Sequence, residues 1–203
     1  MALISKKKAM SIIQPHANAL CAIPIDAWDQ YHAELPEHIL LSFCSRTRAS
    51  AVHNLMLTNA TKYAVNATGI KPFRRQKMDG IVVDGMLAIR FKKLDDESQS
   101  RNQPTAQVDA FRAQQMLDGI DAAHNLELGY VLNEHETAIT EVRLVCPSGR
   151  NEVAWWTTLG NRGTDSGTVE LFPITPDSGP RPPHIAPKET GIVIPIRKKS
   201  DED

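Results

Sequence analysis

Two acids and a basic triplet sit where metal-assisted chemistry would be sought. Asp79 and Asp84 precede "AIRFKKLDD", which carries Arg90-Phe91-Lys92. An acid on one strand followed by acid-x-lysine on the next holds a metal ion that activates water, while the lysine steadies charge on a phosphate. Here the second acid position is Arg90, and a guanidinium offers a metal no lone pair. Asp84 also adjoins Gly85, in turn chemistry rather than strand chemistry. The spacing is that of a phosphodiester-cleaving site; the residue types are not.

A second set lies in "SRTRASAVH", where Arg48 and His53 follow an R-x4-H pattern. A histidine and an arginine can activate a ribose hydroxyl and stabilise a phosphorane without metal. On one helix, positions five apart are separated by about 140°, so Arg46 rather than Arg48 shares a face with His53. The plainer reading has both arginines near a helix start and His53 packed. Arg46, Arg48 and His53 are therefore weak catalytic candidates.

A third set is electrostatic. From Lys62 to Lys93 there are eight basic residues and two acids, a balance of +6. From Leu94 to Glu141 there are ten acids and two arginines, a balance of -8. The net charge of -1 hides these opposed fields and gives no general affinity for nucleic acid or membranes. Within the basic half and the loop after it, Arg74, Arg75, Lys77, Arg90, Lys92, Lys93, Asn102 and Thr105 are candidate phosphate ligands. The competing reading is a solvated basic strand end that counters the acids beside it.

His16, Cys21, His32, His38, Cys44 and His53 crowd the first quarter without any zinc-type spacing, so no metal and no cofactor is expected. The three cysteines, an odd number with no CxxC, suit reduced thiols and a cytoplasmic location. The N-terminus lacks the apolar core of a signal peptide, and no run of about 18 apolar residues exists to cross a membrane. Trp155 and Trp156 alternate across a strand, so one faces the core and the other is a candidate contact anchor. Ile192 and Ile194, in "GIVIPIRKK", could add to a sheet edge, and join the tryptophans as partner-binding candidates.

The elements that position these residues follow from periodicity. Residues 1–24 read as a loose arm. Asp26 to about Glu34 reads as a short helix stopped by Pro36. The main helix opens at Ser45 or Thr47; Val52, Leu55, Met56, Asn59 and Tyr63 share one face. Asp84-Gly85 predicts a hairpin, with Leu87, Ile89 and Phe91 inward and Ala88, Arg90 and Lys92 on a solvated or ligand-binding face. "QVDAFRAQQMLDGI" fits a short helix ending at Gly119. Three strands then form a meander, with Val142, Leu144 and Cys146 on one face. The expected fold is α+β: about five antiparallel strands against one main helix and short helices, spanning residues 25–159. Residues 160–203 hold seven of the 13 prolines and five of the 11 glycines, and read as a tail.

Over residues 43–159 the chain resembles small bacterial proteins encoded beside a helix-turn-helix metallopeptidase of the ImmA/IrrE type. The resemblance rests on "SRTRAS", "AIRFKKLDD", "RNQPT" followed by "AFRAQQ", "LGYVLNEHETAI", "VCPSG" and "VAWW". It implies a two-gene toxin–antitoxin-like or stress-regulation module and transfers no catalytic residue. The expected function is a non-enzymatic component that binds a protein partner, and the resemblance implies that metallopeptidase as the partner. The alternative is a toxin-like effector that binds RNA or cleaves it without metal.

Overall fold

The structure is a computed structural model that describes residues 3–75, 78–100, 105–116, 118–120, 122–162 and 169–171. Lys77, Asn102, Ile192 and Ile194 lie outside the described residues, as does most of the expected tail.

The N-terminus is not a loose arm. Ser5 caps α1 (Lys6–Ile13), its hydroxyl accepting from the Lys8 amide at 3.3 Å. One 3-10 turn leads into α2 (Ala17–Glu34), which absorbs the helix expected only from Asp26. Pro15 is tolerated because it stands near the start of the 3-10 turn, where a missing N–H costs little. Pro24 does lie inside α2 and removes a helical hydrogen bond. Burial of Ile13, Leu20, Cys21, Ile23 and Trp28 in the main core opposes that loss. Trp155 Nε1 donates to the Ile4 carbonyl at 2.8 Å, which fastens the first residues to the sheet.

A short α3 (Glu37–Ser42) precedes the main helix, α4 (Ser45–Asn66). Val52, Met56 and Ala60 recur at intervals of four and form its buried stripe. The cap position is Cys44 rather than the expected Ser45 or Thr47, and its side chain makes no capping bond.

The sheet runs in chain order: β1 (Ile70–Arg75), β2 (Met78–Val83), β3 (Leu87–Leu94), β4 (His124–Leu132), β5 (Ile139–Gly149), β6 (Glu152–Arg162), with a three-residue β7 (Val169–Leu171) at the end. The β2–β3 hairpin turns through Asp84 and Gly85, both with positive φ, as the Asp-Gly pair predicts. The mixed α+β class and the β4–β5–β6 meander agree with the sequence reading. Three features depart from it. First, β1 contains Pro72, which hides it as a strand; it survives because an edge strand needs only one hydrogen-bonded side. Second, β3 and β4 are parallel, not antiparallel. The short helix α5 (Ala106–Arg112) lies in the crossover that a parallel pair requires. Third, β6 extends to Arg162 and pairs with β7, so the sheet continues past residue 159.

Both faces of the sheet are covered. On one, Ile81, Val83, Leu87, Ile89, Phe91, Leu128, Val142, Leu144 and Cys146 join residues of α1, α2 and α4 in the main core. On the other, Met78, Val82 and Ala88 pack with Phe111 of α5 and with Ile120 and Ala122. Among the described residues no helix is long and apolar enough to cross a membrane.

Candidate functional site

The second face is where the charged residues of the sheet converge. Ala88, Arg90 and Lys92 do lie opposite Phe91, as alternation requires, but the expectation that this face is solvated is corrected. Arg90 keeps only 6% of its surface exposed. Its guanidinium carbon lies 5.2 Å from the Phe111 ring centroid, over α5. The crossover helix, invisible as a cover in a purely antiparallel reading, is the reason.

Beside it lies a buried ion pair. Arg112 Nη1 donates to Glu127 Oε2 at 2.7 Å, and both side chains are essentially inaccessible. Arg112 also reaches Ser100 Oγ, the Gly149 carbonyl and Gln99 Oε1, at 2.8, 3.0 and 3.1 Å. Its donors thus tie α5 to the loop after β3 and to the β5–β6 turn. Gln114 and Asn125 complete the polar layer: Gln114 Nε2 donates to the Asn125 and Pro147 carbonyls, and Asn125 Nδ2 donates to those of Phe111 and Gln115. Sequence reasoning missed Arg112, Gln114, Asn125 and Glu127. The available signal was Arg112 itself, one of two basic residues in the acidic half of the chain.

The β2–β3 ladder stops at Ile81–Ile89. Beyond it Met78–Gly80 pair with β1 and Arg90–Leu94 pair with β4 rather than with each other, so the two strands fork. Gly80 marks the closest approach: a Cβ there would meet the Ile89 carbonyl oxygen at 2.2 Å and the Phe73 ring at 2.8 Å. Asp79 stands on one arm of the fork, with Arg90 and Lys92 on the other. Burial works against the charge of Arg90, opposed by Glu127 and then Asp79. Desolvation, with Arg90 next, brings Lys92 down to about 8. His53 comes down to about 4 through desolvation, with Lys92 and Arg90 adding to it, so it is neutral at pH 7.

The remaining expected residues are dispersed. Arg48 holds the β4–β5 turn, donating to the Glu136 carbonyl at 2.9 Å and pairing with its carboxylate at 3.4 Å. Lys93 joins the same carboxylate, whose pKa falls below the usual range chiefly through that hydrogen bond. Arg46 is exposed, and its carbonyl accepts from Ser50. Arg74 lies 3.5 Å from Asp79, and Arg75 pairs with Asp118 at 2.7 Å. Thr105 is the N-cap of α5 and accepts from the Val108 amide at 3.3 Å.

A separate surface surrounds Trp156. Its partner in sequence, Trp155, packs against the main core, whereas Trp156 is 42% exposed. The Arg143 guanidinium carbon lies 4.4 Å from the Trp156 ring centroid. Arg143 is itself held by Glu141 Oε2, the Asp96 carbonyl and Ser98 Oγ, at 2.8, 2.8 and 2.9 Å. Trp156 borders an open recess lined by Lys6, Glu141, Thr157, Thr158 and Asn161. Comparison of the chain with protein-family models, curated proteins and solved structures gave no match.

Proposed function

We propose that the protein is a non-catalytic binding component that docks a protein partner through the surface around Trp156. The observation that carries this reading is the exposed Trp156 ring stacked on a fixed Arg143. An aromatic side chain held in place before contact loses little conformational freedom on binding, and tryptophan and arginine are favoured anchors in interfaces. The recess beside it mixes a cation, a carboxylate, hydroxyls and an amide, which suits a partner surface with a polar rim. The resemblance noted above makes a metallopeptidase of the ImmA/IrrE type, within a two-gene stress or toxin–antitoxin-like module, the first partner to try.

The nucleic-acid effector is the less supported alternative. Its catalytic trio is split, with Arg48 engaged by Glu136 and His53 neutral and desolvated. Its surface cations Arg75 and Lys93 face carboxylates.

Co-expression of the full chain with the metallopeptidase, followed by affinity purification, tests the proposal. Wild type is expected to retain the partner, and Trp156→Ala to lose at least tenfold in affinity while melting at the same temperature. Equal retention by both proteins would refute the surface, and no complex at micromolar concentration would refute the partner.

A further inference from the structure

The fork between β2 and β3 contains a buried cation with two unpartnered donor atoms. Arg90 Nε and Nη1 are both inaccessible and neither finds an acceptor. A buried guanidinium ordinarily satisfies its donors, because an unmet charged donor loses its hydration for nothing in return. The cation–π contact with Phe111 stabilises the charge but takes up neither of these N–H groups.

The charges around it set the sign of what would fit. Arg112 and Glu127 neutralise one another at 2.7 Å. Arg90 then faces one further carboxylate, Asp79, which Arg74 approaches from outside. His53, the titratable group facing from α4, is neutral near pH 7. Cations outnumber acids at the fork, so an anion is favoured there. Metal binding is not, because Arg90 occupies the position that a second ligating acid would need. The fork reaches solvent along Asp79, whose side chain is 24% exposed.

We propose that the β2–β3 fork binds a phosphoryl oxyanion, with Arg90 as its principal donor and Lys92 supplying adjacent charge. A guanidinium and an ammonium side by side suit a group with several acceptor oxygens and more than one negative charge. This inference is independent of the Trp156 surface.

The full-length chain would be titrated with inorganic phosphate, followed by phosphorus NMR and calorimetry, and separately with a short single-stranded oligonucleotide. Saturable binding of one of them with a dissociation constant of about 1 mM or tighter is expected, weakening as sodium chloride rises. Saturation by phosphate points to a free phosphate compound; displacement of phosphate by the oligonucleotide points to a nucleic-acid backbone. Arg90→Gln should weaken binding at least tenfold, whereas Arg75→Gln, on the adjacent surface, should leave it unchanged. If Arg90→Gln fails to fold, Lys92→Met supplies the second variant and should weaken binding several-fold. Wild type should also melt at a higher temperature in phosphate than in chloride of equal ionic strength. Absence of saturable binding by wild type, or equal loss in Arg75→Gln, would overturn the assignment.

Discussion

Arg112 and Glu127 form an ion pair at 2.7 Å with 2% and 0% of their side chains exposed, joining the crossover helix to the first strand after it. Desolvating two charges is costly, and the pair is tolerable because Ser100, Gln99 and the Gly149 carbonyl take up further bonds. Removing one member leaves the other charge stranded. Arg112→Met should therefore destabilise the fold by about 3–5 kcal/mol in urea denaturation. The double variant Arg112→Met, Glu127→Leu should recover much of that loss. A single variant as stable as wild type would show that the charges are not coupled.

The stability of the protein should fall on mild acidification through His53. Its folded-state pKa of about 4 lies below the ordinary 6.5, so the unfolded chain takes up a proton first. Above the ordinary value both states are neutral and nothing is lost. As pH falls from about 6.5 towards 4, the folded state is progressively disfavoured. His53→Asn should flatten the slope of unfolding free energy against pH in that window, and unchanged slopes would exclude His53 as its source.

The three cysteines should differ sharply in reactivity. Cys21 and Cys146 are buried, and desolvation raises each thiol to about 11. Cys44 is exposed at the start of α4, with its pKa lowered first of all by the hydrogen bond to Thr47. Iodoacetamide at neutral pH should label the native protein once, at Cys44, by peptide mass analysis, and all three sites in denaturant. Thr47→Val should slow the native reaction.

The glycine at the strand fork has no room for a side chain. Gly80→Ala would drive a methyl group into the Ile89 carbonyl and the Phe73 ring, with the nearest atom on backbone that cannot rotate away. A loss of about 1–3 kcal/mol is expected from forcing atoms into packed space. Gly85→Ala, where a Cβ meets nothing within 4 Å, should cost less, through its positive φ alone. Equal costs at the two positions would mean that the fork is looser than its geometry.

Much of the local structure was written in short-range pattern. The spacing of Val52 and Met56 foretold the buried stripe of α4, and Asp84-Gly85 foretold the hairpin. The alternation of Trp155 and Trp156 foretold one inward and one exposed ring. Each depends on residues within a few positions of one another, where backbone geometry fixes the face. The N-terminal helices were not legible in residues 1–24, because the tolerance of Pro24 inside α2 depends on burial against distant strands.

What the sequence by itself determined is the class of the fold, the hairpin, the meander and the faces that the residues of β3 and β5 occupy. What only the tertiary structure decided is what covers that face. Arg90 lies opposite Phe91 by the period of a strand, but whether it meets water or the Phe111 ring depends on the crossover that makes β3 and β4 parallel. The pairing of Arg112 with Glu127, 15 residues apart, has the same origin. Side-chain direction is a local property of the backbone; burial and charge pairing depend on which distant segments are brought together, and no local pattern encodes that.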